Sequence, residues 1–374
     1  MAITCGFIGF GLIGGSIARS LKDSGKDVRI IAYDTDRNAM TQAYRDGTAD
    51  IILSEIGPAF SDCDFIFLCA PVKANMANAE RVKPFLSPGT VLTDVGSVKG
   101  EMHRRMEELG LGDVFIGGHP MAGSERTGYA NSKAKLLENA YYVITATEKT
   151  QQSELEKYRA LVEAMGAIPL VMSFGLHDRV TAAVSHVPHV ISASLVNLVE
   201  DSDSPEGEMR MIAAGGFRDI TRISSSSPEM WRDICLTNAE NVSALLDGYI
   251  RSLEDIKESI ESGDGERLLS FFGSARRYRD TFPESSSGPI KTDNSVHAEI
   301  PDEPGALAVI MTQIAARGIN VKNVGIVHNR EFETGSLRIE LHDRNDVENV
   351  KSLLSAHGYQ VGERYGLIAP RHTG

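Results

Sequence analysis

"TCGFIGFGLIGGS", residues 4 to 16, decides the fold. An apolar strand runs straight into Gly9, Gly11 and Gly14, and a helical pattern follows. In a strand–turn–helix unit those glycines supply the tight turn, the close approach to a pyrophosphate and the close packing of the helix. Backbone N–H groups at the helix start then face the phosphates. Three glycines alone also suit a turn in any doubly wound sheet. Asp34 narrows the reading. It ends the second strand, "VRIIAYD", twenty residues after Gly14, where a carboxylate accepts from the adenosine ribose hydroxyls and repels a ribose phosphate. NAD is therefore the expected cofactor over NADP, with Arg37 nearby as the opposing feature. The expected contacts are Gly9, Gly11, Leu12, Ile13, Gly14, Asp34 and Pro71.

Outward from that unit, the apolar runs "FIFLCAP", "TVLTDVG", "VFIGGHP" and "YYVITAT" alternate with amphipathic stretches. This is the pattern of a parallel sheet covered by helices. Thr150 is a candidate cap for the helical pattern that follows. From Phe174 to Phe282 the strand signal vanishes and an all-helical domain is expected, with Ser227 and Pro228 as cap and first position of one helix. "PESSSGPIKTDN" has linker composition. After it, strand, helix, two strands, helix and strand follow in the split ferredoxin-like order. The expected division is an NAD-binding Rossmann domain at 1–172, a helical domain at 173–285, a linker at 286–293 and a small regulatory domain at 294–374.

Bulk composition excludes several classes. Among 374 residues, 38 basic against 51 acidic side chains give a net charge of −13. That balance disfavours nucleic acid and anionic membrane partners. The first eighteen residues are uncharged, yet five glycines interrupt them and no basic residue precedes them, unlike a secretory leader. No later stretch reads as an uninterrupted membrane span. Cys5, Cys63, Cys69 and Cys235 have no paired spacing, so disulfides and structural zinc are not expected. The expectation is a cytoplasmic protein.

The chemistry is carried by four further stretches. "GGHPMAGSE" places His119 after a strand-like run, where the chain is expected to bend. "DVGSVK" puts Ser97 beyond a strand end, the edge where ligands collect in such sheets, although capping a helix would account for it equally well. "SHVPHV" holds His186 and His189 on a helix that Pro188 must distort. Two histidines at that spacing, without a third ligand, do not make a zinc site. "GGFRDITRI" offers Arg218 and Arg222 in an expected loop, suited to fork onto a carboxylate, and "MWRDI" adds Trp231 and Arg232. Residue by residue, these stretches reach an NAD-dependent oxidoreductase of a small anionic substrate.

In this order and at these separations, "GFGLIGGS", "DVGSVK", "GGHPMAGSE", "SHVPH" and "GGFRDITRI" with "MW" resemble the prephenate dehydrogenase family of tyrosine biosynthesis, over residues 1 to about 285. The unit with "PDEPGALAVI" and "RGINV" resembles the ACT domain, an amino-acid-sensing module. The resemblance implies oxidative decarboxylation of prephenate by NAD, with arogenate as the alternative substrate, and a dimer built by the helical domain. It also implies that His119 takes the ring hydroxyl proton and that Ser97 orients the histidine or the hydroxyl. Arg222 would hold a substrate carboxylate, with Glu125, His189 and Trp231 lining the site. L-Tyrosine is the implied effector, near Asp302, Gly305 and Asn320. A non-catalytic sensor of NAD and amino acids, and an ACT-bearing dehydrogenase of another substrate, are the competing readings.

Overall fold

The computed structural model describes residues 2–123, 126–282, 294–301, 303–327, 335–341 and 343–362. The chain divides into two compact units, Met1–Pro289 and Ile290–Gly374. The linker expected at 286–293 lies outside the described residues.

The first unit begins with β1 (Ile3–Ile8), α1 (Leu12–Asp23), β2 (Val28–Tyr33), α2 (Arg37–Arg45), β3 (Ile51–Ile52), β4 (Phe65–Leu68), α3 (Val72–Val82), β5 (Val91–Asp94) and α4 (Gly100–Glu108). It continues with β6 (Gly117–Pro120), β7 (Tyr141–Thr145), α5 (Gln152–Ala164) and β8 (Ile168–Met172). The parallel strands lie in the order β3-β2-β1-β4-β5. A parallel bridge from Leu92 to Phe115 then carries the row on into the sheet β6-β7-β8. β6 and β7 pair antiparallel, so the sheet is not parallel throughout, as its alternating pattern predicted. The reason is the connection. Among the described residues no helix crosses over between β6 and β7, only two short 3-10 turns, and a parallel return needs a crossover.

Side chains of β1 and β4 alternate between two cores. Cys5, Phe7, Phe65 and Phe67 pack on one face, and Ile8, Ile66 and Leu68 on the other. Burial on both faces explains why these strands read as continuous apolar runs. Phe7 and Phe67 stack at 4.9 Å between ring centroids and tie the two strands that flank the ligand edge. Asp36 caps α2 by accepting from the Asn38 and Ala39 amides. Thr150 does not cap α5. Its hydroxyl accepts from the Thr147 amide and closes the preceding turn instead.

Helices alone follow: α6 (Phe174–Thr181), a π-helical turn Ala182–His186, α7 (Val187–Ser202), α8 (Glu208–Ile212), α9 (Gly215–Thr221), α10 (Pro228–Thr237), α11 (Ala239–Glu261) and α12 (Gly265–Arg279). Ser227 caps α10 by accepting from the Met230 amide, with Pro228 in its first turn, as the sequence predicts. Phe174–Ser202 forms one helical run of 29 residues, long and apolar enough by length and composition to cross a membrane. His177, Asp178, Arg179, His186 and Pro188 punctuate it, so its sequence does not read as an uninterrupted span. The loop expected around Arg218 and Arg222 is also corrected. Arg218 lies in α9, and Arg222 opens a 3-10 turn, Arg222–Ser225.

The second unit is β9 (Ser295–Ile300), α13 (Ala306–Ala316), β10 (Val321–Val327), β11 (Gly335–Leu341), α14 (Arg344–Ala356) and β12 (Val361–Gly362). Its sheet order is β10-β11-β9-β12, with antiparallel pairing throughout. Val296, Ala298, Ile310, Ile314, Leu337, Ile339, Val350 and Leu354 form its own core.

Candidate active site

The carboxyl ends of β1 and β4 meet where the strand order reverses, the crevice that binds ligands in open sheets of this kind. Gly9 sits at φ +97°, and a Cβ there would fall 2.6 Å from the Ala70 amide nitrogen. A Cβ on Gly14 would fall 2.6 Å from the Gly9 carbonyl oxygen. Only glycine permits either contact. Gly11 is different. A Cβ there would meet nothing within 4 Å, so the space above the start of α1 is open. Leu12 and Ile13 lie in the first turn of α1, which has no side-chain cap and no acidic residue. That helix start can hold a pyrophosphate. Asp34 ends β2, with one carboxylate oxygen accepting from the Phe10 amide at 2.5 Å and the other from the Asp36 amide at 2.8 Å. Arg37 is drawn away onto the carbonyls of Leu53 and Ser54 at 3.2 and 2.9 Å. Pro71 precedes α3, and the buried Asn75 braces its turn by accepting from the Ala70 amide and donating to the Leu68 carbonyl, both at 3.0 Å. These residues fit a dinucleotide.

His119 follows along the same edge. It lies inside β6, paired with Val143, and the bend expected at His119 starts only after Pro120. The antiparallel partner β7 keeps the backbone extended, and Met121 still donates to the Tyr141 carbonyl at 2.8 Å. A buried ion pair sets this strand. Lys99 Nζ lies 2.5 Å from Asp94 Oδ2 and donates to the Gly118 carbonyl at 2.7 Å, so the peptide before His119 is held in place. Removing one partner of so buried a pair is strongly destabilising, at about 3–5 kcal/mol. Ser97 is half-buried, and among the described residues its hydroxyl has no partner. It caps no helix, since the cap position of α4 is Lys99. The capping alternative is thereby removed.

Two residues that the sequence reading missed complete this edge. His119 Nδ1 lies 2.8 Å from His177 Nε2, and His177 Nδ1 lies 2.8 Å from Asp178 Oδ1. Asp178 in turn accepts from the Lys99 and Gly100 amides at 2.8 and 2.7 Å. It is the N-terminal cap that α4 lacks in its own sequence. The signal was a His–Asp dipeptide in an otherwise apolar helical run, in "SFGLHDR". Burial pushes the proton affinity of His119 well below the usual histidine range, and the Lys99 ammonium pushes the same way. Burial favours the acid form of Asp178, but hydrogen bonds from His177, Lys99 and Gly100 outweigh it and hold the carboxyl below its ordinary range.

The π-helical turn ends at His186, and His189 lies in the first turn of α7 directly after it. Turns of the π type are rare and concentrate at functional sites. His186 is buried and pushed down to about 4 by that burial. Its Nδ1 accepts from the Asn238 amide at 3.1 Å, which leaves the hydrogen on Nε2. His189 donates from Nδ1 to the Ser185 carbonyl at 2.8 Å and stacks on Trp231 at 3.6 Å. His186 Nε2 and Trp231 Nε1 are both buried with no hydrogen-bond partner among the described residues, as in a site that awaits a polar ligand. Arg222 belongs to the same group. Burial lowers the proton affinity of His189, and the Arg222 charge lowers it further. The structure thus brings together His119, His186, His189, Trp231 and Arg222. Glu125 lies outside the described residues.

In the second unit, Gly305 occupies the cap position of α13 at φ +91°, and Asn320 is exposed just before β10. Asp302 lies outside the described residues.

Family models match in two consecutive segments: "Prephenate dehydrogenase, nucleotide-binding domain" over residues 17–170 and "Prephenate dehydrogenase, dimerization domain" over residues 174–274. A prephenate dehydrogenase of Bacillus subtilis is 35% identical over 350 residues, 93% of this chain and 94% of that protein. The crystal structure of the prephenate dehydrogenase from A. aeolicus, in complex with hydroxyphenyl propionate and NAD+, superposes with a TM-score of 0.71 at 35% identity. It covers 74% of this chain and 97% of its own. The Synechocystis arogenate dehydrogenase superposes at 0.67 with 28% identity, over 75% of this chain and 100% of its own.

Proposed function

The chain belongs to the prephenate dehydrogenase family, and on that premise we propose how its residues carry out the oxidative decarboxylation of prephenate to 4-hydroxyphenylpyruvate. It is an NAD-dependent oxidoreductase. Gly9, Gly11, Leu12, Ile13, Gly14, Asp34 and Pro71 hold NAD, which when bound accepts a hydride from the ring carbinol carbon. His119 Nε2 accepts the hydrogen bond of the ring hydroxyl and takes its proton as that hydride leaves. The carbon–carboxylate bond then breaks, its electron pair restores the aromatic ring, and His119 returns the proton to the phenolate. Ser97 orients the hydroxyl. Arg222 binds a substrate carboxylate, with Glu125, His189 and Trp231 around the rest of the molecule.

The observation that carries this assignment is the convergence of His119, His186, His189 and Trp231 beside a dinucleotide edge, in a chain matched by the Bacillus relative over 93% of its length. The Synechocystis neighbour keeps arogenate open as the substrate. Side-by-side kinetics of NADH formation with prephenate and arogenate separate the two, and no turnover of either would end the assignment. Asp34→Ser is expected to narrow the preference for NAD over NADP, because the carboxylate that repels a ribose phosphate is gone while Arg37 remains committed elsewhere. An unchanged ratio of the two kcat/KM values would assign the preference to another residue.

The active form is proposed to be a homodimer through the helical domain, in a cytoplasmic enzyme. Only Ala182, Val187 and Val242 form a buried core cluster within these helices, while Leu198, Leu236, Ile260, Leu269 and Phe272 are 61 to 70% exposed. Apolar surface on that scale calls for a second chain.

The unit after the linker is proposed to be an ACT domain that binds L-tyrosine and inhibits the enzyme. Its βαββαβ order supports this, as do the helix start at Gly305 for an α-carboxylate and Asn320 for the amino end, with Asp302 close by in sequence. Tyrosine must then favour one global state, with a coupling of about 1–3 kcal/mol. Tyrosine is expected to inhibit the full chain and to lose its effect on a chain cut at the linker. Equal inhibition of both would place it at the active site as a product-like competitor.

A further inference from the structure

We propose that His177 and Asp178 are positioning residues that select the tautomer of His119, so that Nε2 meets the substrate as a lone pair. The inference rests on the assignment of His119 as the base.

The hydrogens can be counted from the far end. The Lys99 and Gly100 amides donate one to each oxygen of Asp178, at 2.8 and 2.7 Å. Backbone N–H groups have no acceptor mode, so the carboxylate must accept on both oxygens. The hydrogen between Asp178 Oδ1 and His177 Nδ1 therefore belongs to the histidine. A neutral imidazole has a single N–H. His177 Nε2 is then a lone pair, and at 2.8 Å it can only accept from His119 Nδ1. His119 is left with its hydrogen on Nδ1 and none on Nε2.

The alternative is a doubly protonated His177, which would donate to His119 Nδ1 and force the His119 hydrogen onto Nε2. The surroundings oppose it. His177 is fully buried, and burial lowers its proton affinity despite Asp178. The buried Lys99 ammonium, itself neutralised by Asp94, also faces the pair, and His119 and His186 are held neutral beside it. The rings of His119 and His177 meet edge to face, 5.0 Å apart and at 71°, which points the nitrogens along the contact.

Asp178→Asn tests the arrangement. An amide offers one acceptor atom and one NH2 where the carboxylate offered two acceptors. With the NH2 toward His177, the hydrogen of that ring moves to Nε2, and His119 in turn carries its hydrogen on Nε2, a donor where the base is needed. The expected result is a fall in kcat on the order of 10²–10⁴, with KM for NAD little changed. Nitrogen NMR of the full-length chain labelled at histidine is expected to show the His119 proton on Nδ1 in the parent and on Nε2 in the variant. His177→Phe keeps a ring in the same space, removes the acceptor, and is expected to lower kcat without loss of NAD binding. A His119 proton on Nε2 in the parent enzyme overturns the proposal, with no variant needed. So does a folded Asp178→Asn enzyme with kcat within about 3-fold of the parent. A parent enzyme without prephenate turnover would count against the assigned reaction, and the NMR measurement would still decide the tautomer.

Discussion

Replacing His119 by Asn is expected to lower kcat by roughly 10²–10⁴ while NAD affinity stays nearly constant. The carboxamide preserves polarity and can still fill the contact with His177, but it has no group that takes a proton. Near-normal turnover would remove His119 from the base role. The pH profile gives a second reading of the same residue. The base must be neutral, and burial, with the Lys99 ammonium beside it, places the His119 transition well below 6.5. Activity governed by this group is thus expected to stay flat as pH falls through 6.5, and to decline only at more acidic values as the imidazole gains a proton. A limb centred at or above 6.5 would show that His119 is not held neutral by burial.

Arg222→Ala is the second large effect, expected mainly in recognition of the substrate. The residue opens the 3-10 turn after α9, and Ser192 fastens that turn to α7 through the Ile220 carbonyl at 3.1 Å and Ser224 at 2.6 Å. The guanidinium acts on His189, so it stands at the same end of the site as the Trp231 stack. Truncation leaves a substrate carboxylate without its partner in a desolvated place, at a cost of about 2–5 kcal/mol, or at least ~30-fold in kcat/KM for prephenate. The NAD dissociation constant should not move. Loss of NAD binding with substrate affinity intact would transfer Arg222 to the cofactor.

The dehydrogenase architecture was legible from "GFGLIG" and Asp34 because both act locally. A strand, a turn and a helix adjacent in sequence leave little choice of geometry, and the steric demand at Gly9 and Gly14 is met by one residue type. The distortion at "SHVPH", a π-helical turn ending at His186, was legible for the same reason, since proline removes a donor wherever it stands. Ser97, His119 and Arg222 could be nominated from motifs, but their surroundings could not. That β7 runs against β6 depends on the absence of a crossover helix, and it places His119 inside a strand where a bend was expected. Arg218 and Arg222 became helical because Gly215 and Gly216, which look like loop residues, are tolerated at the start of α9.

The relay behind His119 lay furthest from the sequence. His177 is 58 residues from His119, and Asp178 is 79 residues from the Lys99 amide it accepts from. By itself the sequence determined the strand–turn–helix unit that opens the chain and the order of the elements, and it nominated His119 as the base. Only the tertiary structure brought His177 and Asp178 behind it, the contacts from which its free nitrogen is inferred. Periodicity and propensity act over a few neighbouring residues, whereas a proton's position is set by whichever donors and acceptors folding brings within about 3 Å.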